Sequence, residues 1–135
     1  MHRSRTFVSG LAALLVVTAA LLASPTAIAQ AWPGKPIRLI VPYTAGGSSD
    51  FVARLMAQKL TEGLGQPVTV DNKPGVAGIV GTDIVAKSAP DGYTLALIGM
   101  TTHAANPSLY KSLPYDPVKD FAPISVAIVS PLVLV

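Results

Sequence analysis

Ile37-Arg38-Leu39-Ile40-Val41-Pro42, followed by Tyr43-Thr44-Ala45-Gly46-Gly47-Ser48-Ser49-Asp50, is the stretch on which the fold turns. The first part is a short run of branched apolar residues stopped by a proline, the pattern of a strand buried on both faces. The second part is small and glycine-rich, so it reads as a loop. From Asp50 the period changes. Phe51, Val52, Leu55, Met56, Leu60 and Leu64 recur at helical spacing and are predicted to form the inner face of a helix. Arg54, Gln58, Lys59 and Glu62 fall away from that face. Ser48 or Ser49 is the predicted N-cap, and Gly63 or Gly65 the stop. Strand, glycine loop, helix is half of a parallel α/β unit.

The same alternation continues outward. Val68-Thr69-Val70 is a second strand, and Pro74-Gly75-Val76-Ala77-Gly78 a second glycine-containing loop. Ile79, Val80, Ile84 and Val85 mark a second helix ending before Pro90. Pro90-Asp91-Gly92 is a turn. Residues 93–98 form a third strand and Gly99-Met100-Thr101-Thr102-His103 a third loop. Residues 106–110 suggest a short helix, 113–120 a proline-rich irregular stretch, and 122–129 and 132–135 further strands. Strand-helix-strand-helix-strand order predicts a parallel sheet with right-handed crossovers. Every glycine loop then follows a strand, at the sheet's C-terminal edge. If strands two and three flank strand one, that edge is where a ligand binds, beside the switch in strand order.

The ends differ from the middle. Residues 1–5 are basic, 7–23 are a nearly continuous apolar run, and Ala27-Ile28-Ala29 before Gln30 has the A-x-A form of a cleavage site. Residues 1–29 are therefore expected to be a signal peptide, with an uncleaved anchor as the alternative. Residues 30–135 are the expected mature part, exported, and periplasmic in a cell with two membranes. The chain closes on Pro131-Leu132-Val133-Leu134-Val135, inside a strand pattern, so it is expected to be truncated.

Composition narrows the chemistry. There is no cysteine, so there is no disulfide, thiolate metal site or cysteine nucleophile. Of the net charge of +3, residues 30–135 carry only +1, from eight Lys/Arg against seven Asp/Glu. That gives no reason to expect a nucleic-acid partner. His103 is the only histidine after residue 2, and carboxylates are not clustered with it, so no metal site is expected.

The loops hold what chemistry remains. In the first, small residues let a ligand approach the backbone, and the following helix offers unpaired N–H groups and the positive end of its dipole. That combination binds carboxylate or phosphate; a tight turn with no ligand is the plain alternative. Asp50 reads as a helix-start residue ahead of a general base. The second loop spaces Gly75, Gly78 and Gly81 as G-x-x-G-x-x-G, neither a dinucleotide fingerprint nor a P-loop. No cofactor is indicated, and close helix–strand packing explains a glycine there equally well. In the third loop Thr101 and Thr102 offer hydroxyls and His103 an imidazole. A single histidine is more often a packing residue than a base, and no G-x-S-x-G elbow supplies a nucleophile.

A broader pattern emerges from several ordered blocks. Pro36-Ile37-Arg38-Leu39-Ile40-Val41-Pro42-Tyr43, Gly46-Gly47-Ser48-Ser49-Asp50 and Val52-Ala53-Arg54 are three of them. Leu64-Gly65-Gln66-Pro67-Val68, Asp71-Asn72-Lys73-Pro74-Gly75 and Ala89-Pro90-Asp91-Gly92-Tyr93-Thr94-Leu95 follow. Asn106-Pro107-Ser108-Leu109-Tyr110, Leu113-Pro114-Tyr115-Asp116-Pro117 and Lys119-Asp120-Phe121-Ala122-Pro123 complete the series. From Trp32 to its end the chain resembles the tripartite tricarboxylate transporter substrate-binding proteins, the Bug-type receptors. The resemblance implies a two-lobed, Venus-flytrap periplasmic binding protein, of which residues 30–135 would be the opening part of the first lobe. It implies a monomeric receptor, not an enzyme, that captures a small carboxylate for the membrane subunits of a transporter. Carried over residue by residue, the ligand-binding positions are Ala45, Gly46, Gly47, Ser49, Asp50, Thr101, Thr102 and His103, with Gly78 a weaker member. The family usually has proline where Ala45 stands, which leaves this loop less rigid. Two rival readings remain: a small enzyme using His103 and Asp50, and a truncated fragment without function.

Overall fold

The computed structural model describes residues 31–129. The predicted signal peptide with its Ala29–Gln30 cleavage site and the strand at 132–135 lie outside the described residues. Three parallel strands form one sheet: β1 (Ile37–Val41), β2 (Val68–Asn72) and β3 (Thr94–Ala96), in the order β2-β1-β3. β1 is central, as its apolar run requires, because a strand covered on both faces has no use for alternating polar residues. Leu39 sits opposite Val70 on one side and Leu95 on the other. Arg38, the one exposed residue of β1, pairs with Asp71 of β2.

Helix α1 (Ser48–Leu64) connects β1 to β2 and packs on one face of the sheet. Ile37, Leu39 and Val41 meet Ala53 and Ala57 there, and Leu60 and Leu64 close the margin. Complete burial of an Ile or Val side chain contributes roughly 1.5–3 kcal/mol, so β1 anchors the unit. The helix is rotated from its predicted orientation. Phe51 is 72% exposed and Leu55 52%, whereas Asp50, Ala53 and Ala57 are buried. Small residues at 53 and 57 bring the helix axis close to the sheet, and that close approach determines the inner face more than side-chain hydrophobicity does. The N-cap also differs. It is Gly47, with no side-chain cap, in place of Ser48 or Ser49. The predicted stop at Gly65 is observed, in a left-handed conformation with its N–H on the Thr61 carbonyl.

β2 runs two residues past its predicted end, and β3 is shorter than the predicted 93–98. Helix α2 (Ile79–Ala86) forms where the apolar spacing predicted, yet its buried residues are Gly81 and Thr82, while Val80 faces out. The third loop is more ordered than predicted. Thr101–Ala105 winds as a wide π-helical turn that runs straight into α3 (Asn106–Leu109). Residues 122–129 are not a strand, contrary to the alternation of Ile124, Val126 and Ile128, whose side chains are exposed. Alternation makes a segment competent to pair, but pairing needs a neighbouring strand, and this segment hydrogen-bonds to none among the described residues.

Candidate functional site

All three glycine loops leave the C-terminal edge of the sheet. The first is set by Asp50. Its Oδ2 accepts the Gly46 N–H at 2.9 Å and the Arg54 Nε–H at 2.9 Å. Arg54 also donates to Asn72 Oδ1 at 3.3 Å, and Asn72 Nδ2 donates to the Tyr43 carbonyl at 3.3 Å. The ring of bonds therefore runs from the loop through α1 to the end of β2 and back to the end of β1. The Arg54 guanidinium, with the Gly46 amide second, pulls the Asp50 carboxyl down to about 2. Arg54 is held above its usual range by the same pair. Asp50 is thus an ionised strut, committed to Gly46 and Arg54.

That strut leaves the helix dipole usable. A bare carboxylate in the first turn would repel an incoming anion, but Arg54 one turn later neutralises it. The amides of Ser48, Ser49 and Asp50 have no intrahelical acceptor by helix geometry. Ala45, Gly46 and Gly47 are exposed, Ser49 half-buried. Gly46 holds φ +83° with open space where a Cβ would be, so backbone conformation alone requires glycine. Its own N–H is occupied by Asp50. Gly47 has φ −82°, and a Cβ there would have ordinary contact with the Thr44 carbonyl at 3.7 Å. Neither conformation nor packing demands a glycine at 47.

The second and third loops are built differently. Gly78 is buried at φ +84°, its N–H donates to the Gly75 carbonyl, and a Cβ would meet Thr102 Cγ2 at 2.7 Å. Gly81 lies against the Lys73 carbonyl and Pro42 just as tightly. Packing is the reason for both. Thr102 is fully buried; its hydroxyl donates to the Gly99 carbonyl and its own carbonyl accepts the Tyr115 hydroxyl at 2.8 Å. Thr101 is exposed. His103 packs edge-on to Phe121 with ring centres 4.7 Å apart and stacks on Tyr115 at 6.3 Å. Burial holds its pKa below the ordinary value. Its Nδ1 lies 3.2 Å from the Thr102 hydroxyl.

The structure therefore brings Gly78, Thr102 and His103 together as packed framework. Ala45, Gly47, Ser49 and Thr101 have the exposure to meet a ligand. Sequence reasoning passed over Arg54, Asn72, Asn106 and Tyr115, which position the loops. The i,i+4 spacing of Asp50 and Arg54 was the one visible signal. An open groove of about 380 Å³ between α1 and β2, lined by Arg54, Ala57, Gln58, Thr61, Glu62, Val68 and Val70, includes none of the predicted residues. Among the described residues no group of three or more His, Asp or Glu is placed to hold a metal ion. No described helix is long and apolar enough to cross a membrane.

Comparison with known proteins bears on the fold and the family. BugT of Bordetella pertussis is 44% identical over 122 residues, covering 90% of this chain and 37% of BugT. The chain spans only about 40% of the length of the curated relatives it matches. Among solved structures, the periplasmic binding protein BugD is 42% identical with a TM-score of 0.66, over 69% of this chain and 31% of BugD. MatC from Rhodopseudomonas palustris, solved with bound malate, is 39% identical with a TM-score of 0.65, over 68% of this chain and 31% of MatC. The parallel α/β unit thus matches one lobe of such binding proteins. Residues 52–135 match the tripartite tricarboxylate transporter family receptor, and the chain belongs to that family of solute-binding receptors.

Proposed function

We propose that the chain supplies the anion-gripping wall of a periplasmic receptor for a small di- or tricarboxylate. The receptor passes its ligand, chemically unchanged, to the membrane subunits of a tripartite tricarboxylate-type transporter. The observation that carries this reading is the helix start at Gly47: exposed, without a side-chain cap, and fronted by small residues. The amides of Gly47, Ser48 and Ser49 face one carboxylate of the ligand, with Ala45 and Gly46 shaping the approach and Thr101 contributing from the third loop. Asp50, Gly78, Thr102 and His103 hold the frame. Residues 1–29 direct export, and the mature receptor acts as a monomer. MatC with its bound malate supports a carboxylate as ligand.

Magnitudes argue for a second lobe. A carboxylate at a helix N-terminus gains roughly 0.3–1 kcal/mol, up to about 2 when partly buried. Each charge-assisted hydrogen bond adds about 1.5–3 kcal/mol. Micromolar binding needs about −8 kcal/mol, after association costs of several kcal/mol. One wall, wet on its far side, falls short, so a closing second lobe must exclude water and supply the remainder. Titration calorimetry with malate on the full-length receptor and on residues 30–135 alone tests this. Micromolar affinity is expected for the first and little or none for the second. Equal affinities would refute the two-lobe account, and turnover of the acid would replace it with an enzyme.

A further inference from the structure

Four consecutive residues of the second loop hold positive φ: Gly75 (+143°), Val76 (+44°), Ala77 (+52°) and Gly78 (+84°). Glycine adopts these angles freely, but alanine and especially β-branched valine do not, because Cβ crowds the backbone carbonyl. Val76 is 61% exposed and Ala77 is also exposed, so neither gains burial that would offset the strain. Such a turn persists only where its surroundings over-determine it. Gly78 is wedged on Thr102 and Pro42, and its carbonyl accepts the Thr82 hydroxyl. Ala77 is held by a residue from another element. Asn106, fully buried at the start of α3, donates its Nδ2–H to the Ala77 carbonyl at 3.1 Å. Burying an amide side chain is costly without such bonds, and among the described residues Oδ1 has no partner, so the donated bond to Ala77 is the one the Asn106 side chain gains.

We propose that Asn106 is a positioning residue. By tying the strained Ala77 carbonyl to the third loop, it makes residues 75–78 and 99–103 a single preformed wall of the carboxylate site. The proposal rests on the receptor reading above. A preformed wall spares the ligand the cost of ordering two loops, so affinity depends on a side chain that touches no ligand.

The test uses the full-length protein, malate as probe, and amide hydrogen exchange as a ligand-independent readout. Asn106→Asp keeps the shape and removes the donor. It is expected to speed exchange of the Gly78 amide at least about tenfold and to weaken malate binding at least about tenfold, while exchange in β1 and β2 stays unchanged. Adding Ala77→Gly, which removes the left-handed strain, is expected to recover part of both losses; unchanged exchange in β1 and β2 is what separates this from a global destabilisation. Unchanged exchange at Gly78 overturns the proposal, as does faster exchange with unchanged affinity. If the unmodified protein binds no carboxylate, the receptor reading fails and the link to ligand affinity fails with it; exchange at Gly78 then decides whether Asn106 holds the loop. If Asn106→Asp does not fold, the unmodified protein still decides: the Asn106 side-chain amide protons must exchange at least about tenfold more slowly than those of exposed Gln58. Equal rates overturn the proposal.

Discussion

Gly47 in the first loop and Gly81 at the start of α2 are the same residue type with opposite reasons for being there. Around Gly81 the space is already filled: a Cβ would lie 2.7 Å from the Lys73 carbonyl and 2.8 Å from Pro42. At Gly47 the nearest atom to such a Cβ is 3.7 Å away and the backbone is ordinary. One glycine lets two elements of the protein approach each other; the other leaves room that nothing in the described protein uses. The two sides of the sheet edge divide likewise. Loops two and three are knitted by Thr102, Asn106 and Tyr115, and loop one is held by the Asp50 carboxylate and, at its root, by Asn72, and is otherwise open. An anion site needs this pairing, because a framework that does not yield is what keeps bare amides aimed at one point.

The sharpest way to break the comparison is to add the same side chain to both glycines. Gly81→Val forces backbone against backbone and is expected to cost about 3 kcal/mol or more, measured by denaturant unfolding, and to leave little folded protein. Gly47→Val is expected to cost no more than about 1 kcal/mol of stability, as at other N-caps. It should nonetheless weaken malate binding at least about tenfold, or about 1.4 kcal/mol, measured by calorimetry on the full-length protein. If Gly47→Val binds normally, the ligand does not approach the first loop. If Gly81→Val folds normally, the packing account of the second loop fails.

The contrast also explains what was legible in the sequence. β1 was, because Ile37-Arg38-Leu39-Ile40-Val41 is a nearly continuous apolar run, interrupted only by Arg38, which is the pattern of a buried strand. The three loops at one edge followed from alternation, whereas the order β2-β1-β3 does not follow from it and stood only as a condition. The inner face of α1 did not, because Ala53 and Ala57 contribute little hydrophobicity yet allow the closest approach to the sheet, leaving Phe51 and Leu55 outside. Candidate ligand positions in the first loop were readable as small residues before a helix. The supports at Asn72, Asn106 and Tyr115 were not, since each acts on a backbone atom far along the chain, and one sequence holds no record of such pairs.

Asp50 tests the carboxylate strut of the open side. Its folded pKa, near 2, lies below the ordinary 3.8, so native protein prefers the ionised form. The stabilisation is therefore present above pH 3.8 and is lost as pH falls toward 2. Asp50→Asn is expected to lower stability at neutral pH and to flatten the acid limb of the unfolding curve across that window. An acid limb as steep as in the unmodified protein would assign the titration to another carboxylate.

The smallest effect belongs to the packed side, at His103. Burial between Tyr115 and Phe121 disfavours the charged ring, so its folded pKa lies below the unfolded value of 6.5. Between those two values the unfolded chain binds a proton that the native protein does not, and native stability falls as pH drops below 6.5. His103→Leu keeps an apolar ring-sized body against the aromatic pair and removes the proton. Its denaturant midpoint is expected to be flat across that range where the unmodified protein's declines. Malate affinity at neutral pH is expected to change little, since the imidazole is packed on Tyr115 and Phe121 as framework. A large loss of affinity with stability intact would move His103 from the packed side of the comparison to the open one, and the ring would then be a ligand contact after all.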